Sequence, residues 1–184
     1  MQALTDNSLM LKVKSGDTDK LGLLYERHKK RLFGFFYNMN GNPSISEDLV
    51  QNVFIKILKY KHTFTGEGSF DAWIFKMARN IYYDHFKNYN KKNNTDALSS
   101  MEYRLEDSDN LDSKMELTDN MVQLRTALSK ISPEKREILV LSKFKEIGYN
   151  EIGEILGCSE GAAKVKAHRA LKDLKTIFMQ LDKI

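Results

Sequence analysis

Residues 149–181 read YNEIGEILGCSEGAAKVKAHRALKDLKTIFMQL. Advancing about 100° per residue from Ser159 gathers Ala163, Ala167, Ala170, Leu171, Leu174, Ile177, Phe178 and Leu181 into one sector roughly 120° wide, the packed side of a helix. Lys164, Val165, His168, Arg169, Lys172 and Lys175 fall on the other side, so the outer face is cationic. The inner residues of the first turns are alanines, which lets this helix lie close to its neighbour. Upstream, Tyr149, Ile152, Ile155 and Leu156 mark a short helix, Gly157 and Cys158 a tight turn, and Ser159 a cap for the longer helix after it. A short helix, a tight turn and a helix with a small inner side and a basic outer side make a helix-turn-helix. Such a helix fits the DNA major groove, where Lys and Arg meet guanine acceptors and phosphates. Its N-terminus meets backbone phosphate.

Working outward, the rest of the chain also reads as helix. Asp6 or Asn7 is placed to cap a first helix carrying Leu9, Met10 and Val13. Leu21, Leu24, Tyr25, Leu32, Phe35, Phe36 and Met39 recur at three and four, predicting a helix from 18 to about 40 that Gly41, Asn42 and Pro43 stop. Ser44 with Glu47 three residues on reads as a capping box before a stripe of Leu49, Val50, Val53, Phe54, Ile57 and Leu58. After a loop over 62–68, Ser69 is expected to cap a fourth helix with Trp73, Ile74, Met77, Ala78, Ile81, Tyr82 and Phe86 inside. Residues from 88 onward are Asn, Lys, Ser, Asp and Glu with scattered Leu and Met, which bury little and predict a flexible linker. Helical pattern resumes with Val122, Leu124, Ala127, Leu128 and Ile131, and Ser132 before Pro133 opens the next helix. The expected fold is all-α, two small helical domains, 1–90 and 121–184, joined by an acidic linker over 91–120.

Composition agrees and excludes several classes. The chain has 184 residues with 29 Lys+Arg against 25 Asp+Glu, a net charge of +4. By segment there are fifteen Lys+Arg against nine Asp+Glu over 1–95, two against eight over 96–120, and twelve against eight over 121–184. Two basic blocks flanking an acidic strip suit a bipartite polyanion binder. The single cysteine, Cys158, excludes an internal disulfide framework and a Cys-rich zinc site. No apolar run approaches a membrane span, and the first residues carry no basic stretch followed by an apolar one, so a cytoplasmic protein is expected. An enzyme is disfavoured because there is no Gly-rich phosphate loop and no His-Glu-x-x-His, and His28, His62, His85 and His168 lack ligand spacing. No catalytic residue, metal, cofactor or small-molecule substrate is therefore expected. An ordinary helix-turn-helix regulator that binds duplex operator as a dimer is the competing class.

Three strings carry a resemblance. They are residues 46–54 (SEDLVQNVF), residues 70–80 (FDAWIFKMARN) with Asp84, and residues 149–161 (YNEIGEILGCSEG) with Lys164, His168, Arg169 and Ala170. In this order and spacing the chain resembles the bacterial extracytoplasmic-function (ECF) sigma factors of the sigma-70 family, whose region 2 and region 4 bring core RNA polymerase to promoters. The resemblance implies that Asp48 and Gln51 are polar contacts to the clamp helices of the polymerase β′ subunit, with Leu49 and Phe54 as anchor or support and the β subunit as a further partner. Periodicity alone makes Phe54 core and Asp48 a helix-start acid, and both readings stand. It implies that Lys61, His62, Phe64, Lys76, Arg79, Asn80 and Lys87 open and hold the minus 10 element, Asn80 reading a base edge, Phe64 stacking, and Arg79 and the lysines neutralising phosphate. Asp84 is expected to orient Arg79 or Asn80, and Trp73 to pack inside. Minus 35 contacts are expected from Ser159, Glu160, Gly161, Lys164, Val165, Lys166, His168, Arg169 and Lys172.

The sequence departs from the family pattern at Gly153, a slot usually alanine, at Ala162 and Ala163, and at Lys166 with Ala167 in place of an Arg-Leu pair. These smaller side chains are expected to loosen packing slightly, and lysine lacks arginine's bidentate fork. The acidic linker either mimics nucleic acid in a basic channel or serves as a solubilising tether. The resemblance also implies an anti-sigma factor, often membrane-bound, that keeps the protein inactive and holds it at the inner membrane.

Overall fold

The computed structural model describes residues 4–92, 119–144 and 147–181, and all regular structure in them is helical. Most of the expected linker lies outside these residues. Helix α1 (Asp6–Lys14) is capped one residue earlier than expected, the Ser8 amide donating to Thr5 Oγ1 at 3.2 Å. Asp6 and Asn7 do not cap because their side chains are committed to distant parts of the fold. Helix α2 (Lys20–Asn40) ends at Gly41 with φ 75°, a left-handed closure that glycine adopts without steric cost. Helix α3 (Pro43–Tyr60) also starts ahead of its expected cap: Pro43 fills the first turn and Asn42 Oδ1 accepts from the Ile45 amide at 2.9 Å. Proline here opens a helix rather than only closing the one before. A 3₁₀ turn (Lys61–Thr63) leads to helix α4 (Phe70–Lys92), where Ser69 Oγ accepts from the Asp71 amide as expected. Helix α4 runs past Asn88 because no Gly or Pro interrupts residues 88–92.

The core of this half is largely the predicted periodic set, with Phe70 and Phe75 of α4 added to it and Trp73 and Met77 only partly buried. Leu9, Met10 and Val13 of α1, Leu24, Leu32, Phe35, Phe36 and Met39 of α2, Leu49, Val53 and Ile57 of α3, and Phe70, Ile74, Phe75 and Ala78 of α4 are all buried. A polar brace crosses it. Buried His28 places Nε2 2.8 Å from Asp6 Oδ2 and Nδ1 3.5 Å from Asp71 Oδ1, while Arg27 holds Asp6 and Arg31 holds Asp71. These three residues, Asp6, His28 and Asp71, have ligand-type atoms within 4.8 Å of one another, but each carboxylate already faces a guanidinium, so the group ties α1, α2 and α4 together. Burial pushes the Asp6 carboxyl up; hydrogen bonds from Arg27 and His28 outweigh it and hold the group below the usual range.

The second half comprises α5 (Asp119–Lys130), α6 (Pro133–Leu139) running into a π-helical turn (Val140–Phe144), α7 (Tyr149–Leu156) and α8 (Glu160–Leu181). Ser132 caps α6 and Ser159 Oγ accepts from the Ala162 amide at 3.2 Å, both as expected. On α8, Ala163, Ala167, Ala170 and Leu174 are buried, whereas Leu171, at the margin of the predicted sector, is 41% exposed. Gly153 corrects the expected loosening. A Cβ there would stand 2.6 Å from the Cys158 carbonyl oxygen, and the Cys158 amide donates to Gly153 O at 2.9 Å. Glycine is what lets the turn close on α7.

The two halves pack together and share one apolar cluster. Helix α4 lies beside α7, and α2 beside the π-helical turn. Buried Arg136 donates to Leu128 O (2.8 Å), Ser129 O (3.0 Å) and Ile131 O (3.3 Å) at the end of α5, and across the interface to Met39 O (2.8 Å) at the end of α2. One guanidinium thus satisfies carbonyls that two helix C-termini leave open. Beside it, buried Glu137 receives the Tyr83 hydroxyl at 3.1 Å and lies 2.9 Å from Arg79 Nε. Burial raises the Glu137 carboxyl, and Arg79 and Tyr83 only partly offset this. The Arg125 guanidinium stands 4.9 Å over the Tyr37 ring.

Arg136→Met takes the guanidinium from the carbonyls at the end of α5, while Met39 O keeps the Tyr82 hydroxyl at 3.1 Å, and should cost about 3 kcal/mol in urea unfolding, with Arg136→Lys recovering only part because an ammonium lacks the fork. Gly153→Ala should cost about 1–3 kcal/mol, since backbone rather than a flexible side chain must give way. For Glu137 the folded state favours the neutral acid. Its contribution is full below its usual value of 4.5 and falls as pH rises through the raised one. Glu137→Gln should therefore raise the thermal midpoint at pH 7, and the gain should vanish near pH 4.5.

Candidate nucleic-acid interface

Helix α8 presents its cations as predicted. Ser159, Glu160, Gly161, Lys164, Val165, Lys166, His168, Arg169 and Lys172 are all exposed, and the Ser159 cap leaves the first turn facing outward. Val165 is half exposed, an apolar side chain among cations that suits a thymine methyl. Lys164 Nζ lies 2.6 Å from Glu160 Oε1 one turn back, which sets the lysine along the helix. The inner alanines seat α8 against α7, so the cationic side chains project from a rigid base.

The N-terminal half sorts its predicted residues differently. Lys76, Asn80 and Lys87 are exposed on α4, and His62 is exposed beside half-buried Lys61 on the 3₁₀ turn. Arg79 is engaged: its guanidinium lies over the Tyr83 ring at 5.0 Å and against Glu137. Arg79, Asn80, Tyr83, Asp84 and Glu134 line a cavity of about 470 Å³ at the junction of the halves. Asp84 does not orient Arg79 or Asn80 as expected; its carboxylate faces Lys56 of α3 at 3.8 Å. Phe64, expected to stack on a base, is only 2% exposed, set edge-on against Trp73 (5.3 Å) and Phe70 (5.9 Å). The loop folds back over it, so its ring is core. Trp73 packs into this aromatic group as expected. The exposed aromatic nearby is Tyr60, with its ring 6.5 Å from that of His62. Its spacing continues the buried stripe of α3, so the sequence pattern does not single it out.

On α3, Asp48 and Gln51 are exposed while Leu49 and Phe54 are buried, Phe54 edge-on to Tyr25 at 4.9 Å. Leu49 and Phe54 therefore support this surface from beneath. The exposed apolar side chains are Ile55, 62% exposed, and Leu58, 43% exposed, at helical spacing from Asp48 and Gln51. Leu58 belongs to the predicted buried stripe but lies outside it in the structure. Alongside runs a groove of about 350 Å³ lined by Tyr25, Lys29, Lys30, Phe33, Glu47, Val50 and Gln51. No helix among the described residues is long and apolar enough to cross a membrane.

Comparison with known proteins identifies the family. Residues 24–92 match the Sigma-70 region 2 family and residues 121–174 match Sigma-70, region 4. RNA polymerase sigma factor CarQ of Myxococcus xanthus is 29% identical over 175 residues, 94% of this chain and 97% of that protein. ECF RNA polymerase sigma factor BldN of Streptomyces coelicolor is 27% identical over 167 residues, 90% of this chain and 63% of its own. Among solved structures, the sigma factor RpoE in complex with the anti-sigma factor NepR from Bartonella quintana shares the fold, with TM-score 0.66 at 21% identity over 86% of this chain and 96% of that one. With both regions matched in order across the two basic helical halves, the chain belongs to the sigma-70 family, as an RNA polymerase sigma factor of the ECF group.

Proposed function

We propose that the chain docks on core RNA polymerase through the exposed side of α3, with Asp48 and Gln51 as polar contacts and Ile55 and Leu58 as the apolar part of the same patch. The partner there is the clamp-helix surface of β′, with β engaged elsewhere. The cationic face of α8 reads the minus 35 element, Lys164, His168 and Arg169 toward the groove and Lys166 and Lys172 toward phosphates. Helix α4 and the turn before it hold the displaced strand at minus 10, with Asn80 on a base edge, Lys61, Lys76 and Lys87 on phosphate, and His62 and Tyr60 as the available rings. Strand capture by Arg79 then exchanges the Glu137 carboxylate for a phosphate, so engagement with DNA and packing of the two halves compete for one guanidinium. The reading also includes a protein partner of the anti-sigma kind, which the RpoE–NepR complex contains. The boundaries assigned are 1–90 for the minus 10 and docking unit, 91–120 for the connection and 121–184 for the minus 35 unit.

The observation that carries this reading is the arrangement of α8: the predicted DNA-facing residues are all exposed on a helix whose inner side is alanine over its first turns. Purified protein mixed with bacterial core polymerase should start transcripts on a pool of promoter fragments only when both are present, from sites sharing minus 35 and minus 10 motifs. Asp48→Lys and Gln51→Ala should lower affinity for core by about tenfold, as removal of one or two interfacial polar groups does, with unchanged circular dichroism. Lys164→Ala with Arg169→Ala should reduce minus 35 dependence and lower the salt slope of DNA binding by roughly 0.9 for each phosphate no longer neutralised. Duplex binding as a dimer without core would instead establish an ordinary operator-binding regulator.

A further inference from the structure

The segment 61–69 and the start of α4 are held by a helix that lies outside the matched region 2 residues. Helix α1 spans Asp6–Lys14, and the family match begins at 24. From α1, Asn7 Nδ2 donates to Gly68 O at 2.8 Å and Gly66 O at 3.3 Å, while Asn7 Oδ1 accepts from the Phe70 amide at 2.9 Å. Lys14 Nζ donates to Phe64 O at 2.6 Å. Leu11 lies against Gly66 closely enough that a Cβ there would stand 3.2 Å from its Cδ2. Asp6, through His28, reaches Asp71 in the first turn of α4. Three carbonyls and one amide of the segment 64–70 therefore find their partners on α1. The loop itself has φ 85° at Gly66 and φ 76° at Gly68, a left-handed conformation that few residues favour unaided. A loop with so few hydrogen bonds of its own takes its shape from whatever satisfies its backbone.

We propose that α1 is the buttress that sets the conformation of the strand-holding loop, with Asn7 as its principal positioning residue and Lys14 as the second. Asn7 suits the task because a primary amide both donates and accepts, and here it does both within five residues of chain. Lys61 and His62 then reach nucleic acid from a fixed platform rather than from a mobile loop. The inference rests on the proposed role of 61–69 at minus 10. Asn7 touches no nucleic acid in this scheme; it acts through the loop.

The test uses Asn7→Ala and Lys14→Met in the full chain and reads the loop and the promoter separately. Trp73, the chain's only tryptophan, packs on Phe64 and Phe70 and reports the loop without a label. In free Asn7→Ala, Trp73 emission should shift to the red, and the Phe70 amide should exchange with solvent about tenfold faster, as expected when one hydrogen bond's protection is removed. Asn7→Asp, which keeps the acceptor for that amide, should restore much of its protection. With core polymerase, the penalty for single-base changes in the minus 10 element should shrink severalfold in Asn7→Ala and Lys14→Met, while minus 35 discrimination and core affinity hold. Unchanged Trp73 emission and Phe70 exchange would overturn the buttress. A loosened loop with intact minus 10 discrimination, or equal losses at minus 10 and minus 35, would overturn the positioning role. If wild-type protein starts no transcripts with core, it is the promoter reading that fails, and the exchange of the Phe70 amide in the free chain still decides whether α1 holds the loop.

Discussion

A buried guanidinium, Arg136, provides the central polar contact between the two halves of this molecule, within the apolar cluster they share. Arg136 reaches the open carbonyls at the end of α5 and the carbonyl of Met39 at the end of α2, positions where helices leave acceptors without partners. Placing a cation at two helix C-termini is electrostatically favourable as well as stoichiometrically apt. Arginine is the side chain that does this, because it alone offers five donors in a planar fork and stays charged when buried. The orientation of α6, and through it of α7 and α8, depends on where that fork is held.

Next to this firm contact lies a weaker one. Glu137 is buried against Arg79 and Tyr83, yet burial raises its carboxyl more than its two partners lower it. A carboxylate in that position costs stability at neutral pH and binds a guanidinium that the promoter reading assigns to phosphate. The geometry therefore combines a strong, uncharged-acceptor contact at Arg136 with a charged contact that a better anion can replace.

Surface chemistry is more legible in the sequence than interior geometry for a simple reason. Outward-facing charge needs only helical periodicity to be placed, and Lys164, Val165, His168, Arg169 and Lys172 on the outer face of α8 are readable from spacing alone. The helix caps at Ser69, Ser132 and Ser159 are local and readable too. Where long-range partners compete for a side chain, local rules fail: Asp6 and Asn7 are drawn from capping to distant contacts, and Asp84 is drawn to Lys56. Phe64 has the sequence setting of a stacking ring in an open loop, but the loop is closed by hydrogen bonds from α1, which lies some fifty residues earlier in the chain.

The amino-acid sequence by itself determined the helical class, the two basic blocks, the order of the motifs and the cationic outer face of α8, because each is written in periodicity and composition over a few turns. Only the tertiary structure decided that Leu49 and Phe54 lie beneath the α3 surface while Ile55 and Leu58 lie on it, that Gly153 is needed for the turn to close, and that Arg79 faces Glu137. Each of these depends on which backbone or side chain from elsewhere fills the space next to a residue. That neighbour is set by packing across the chain, not by spacing along it.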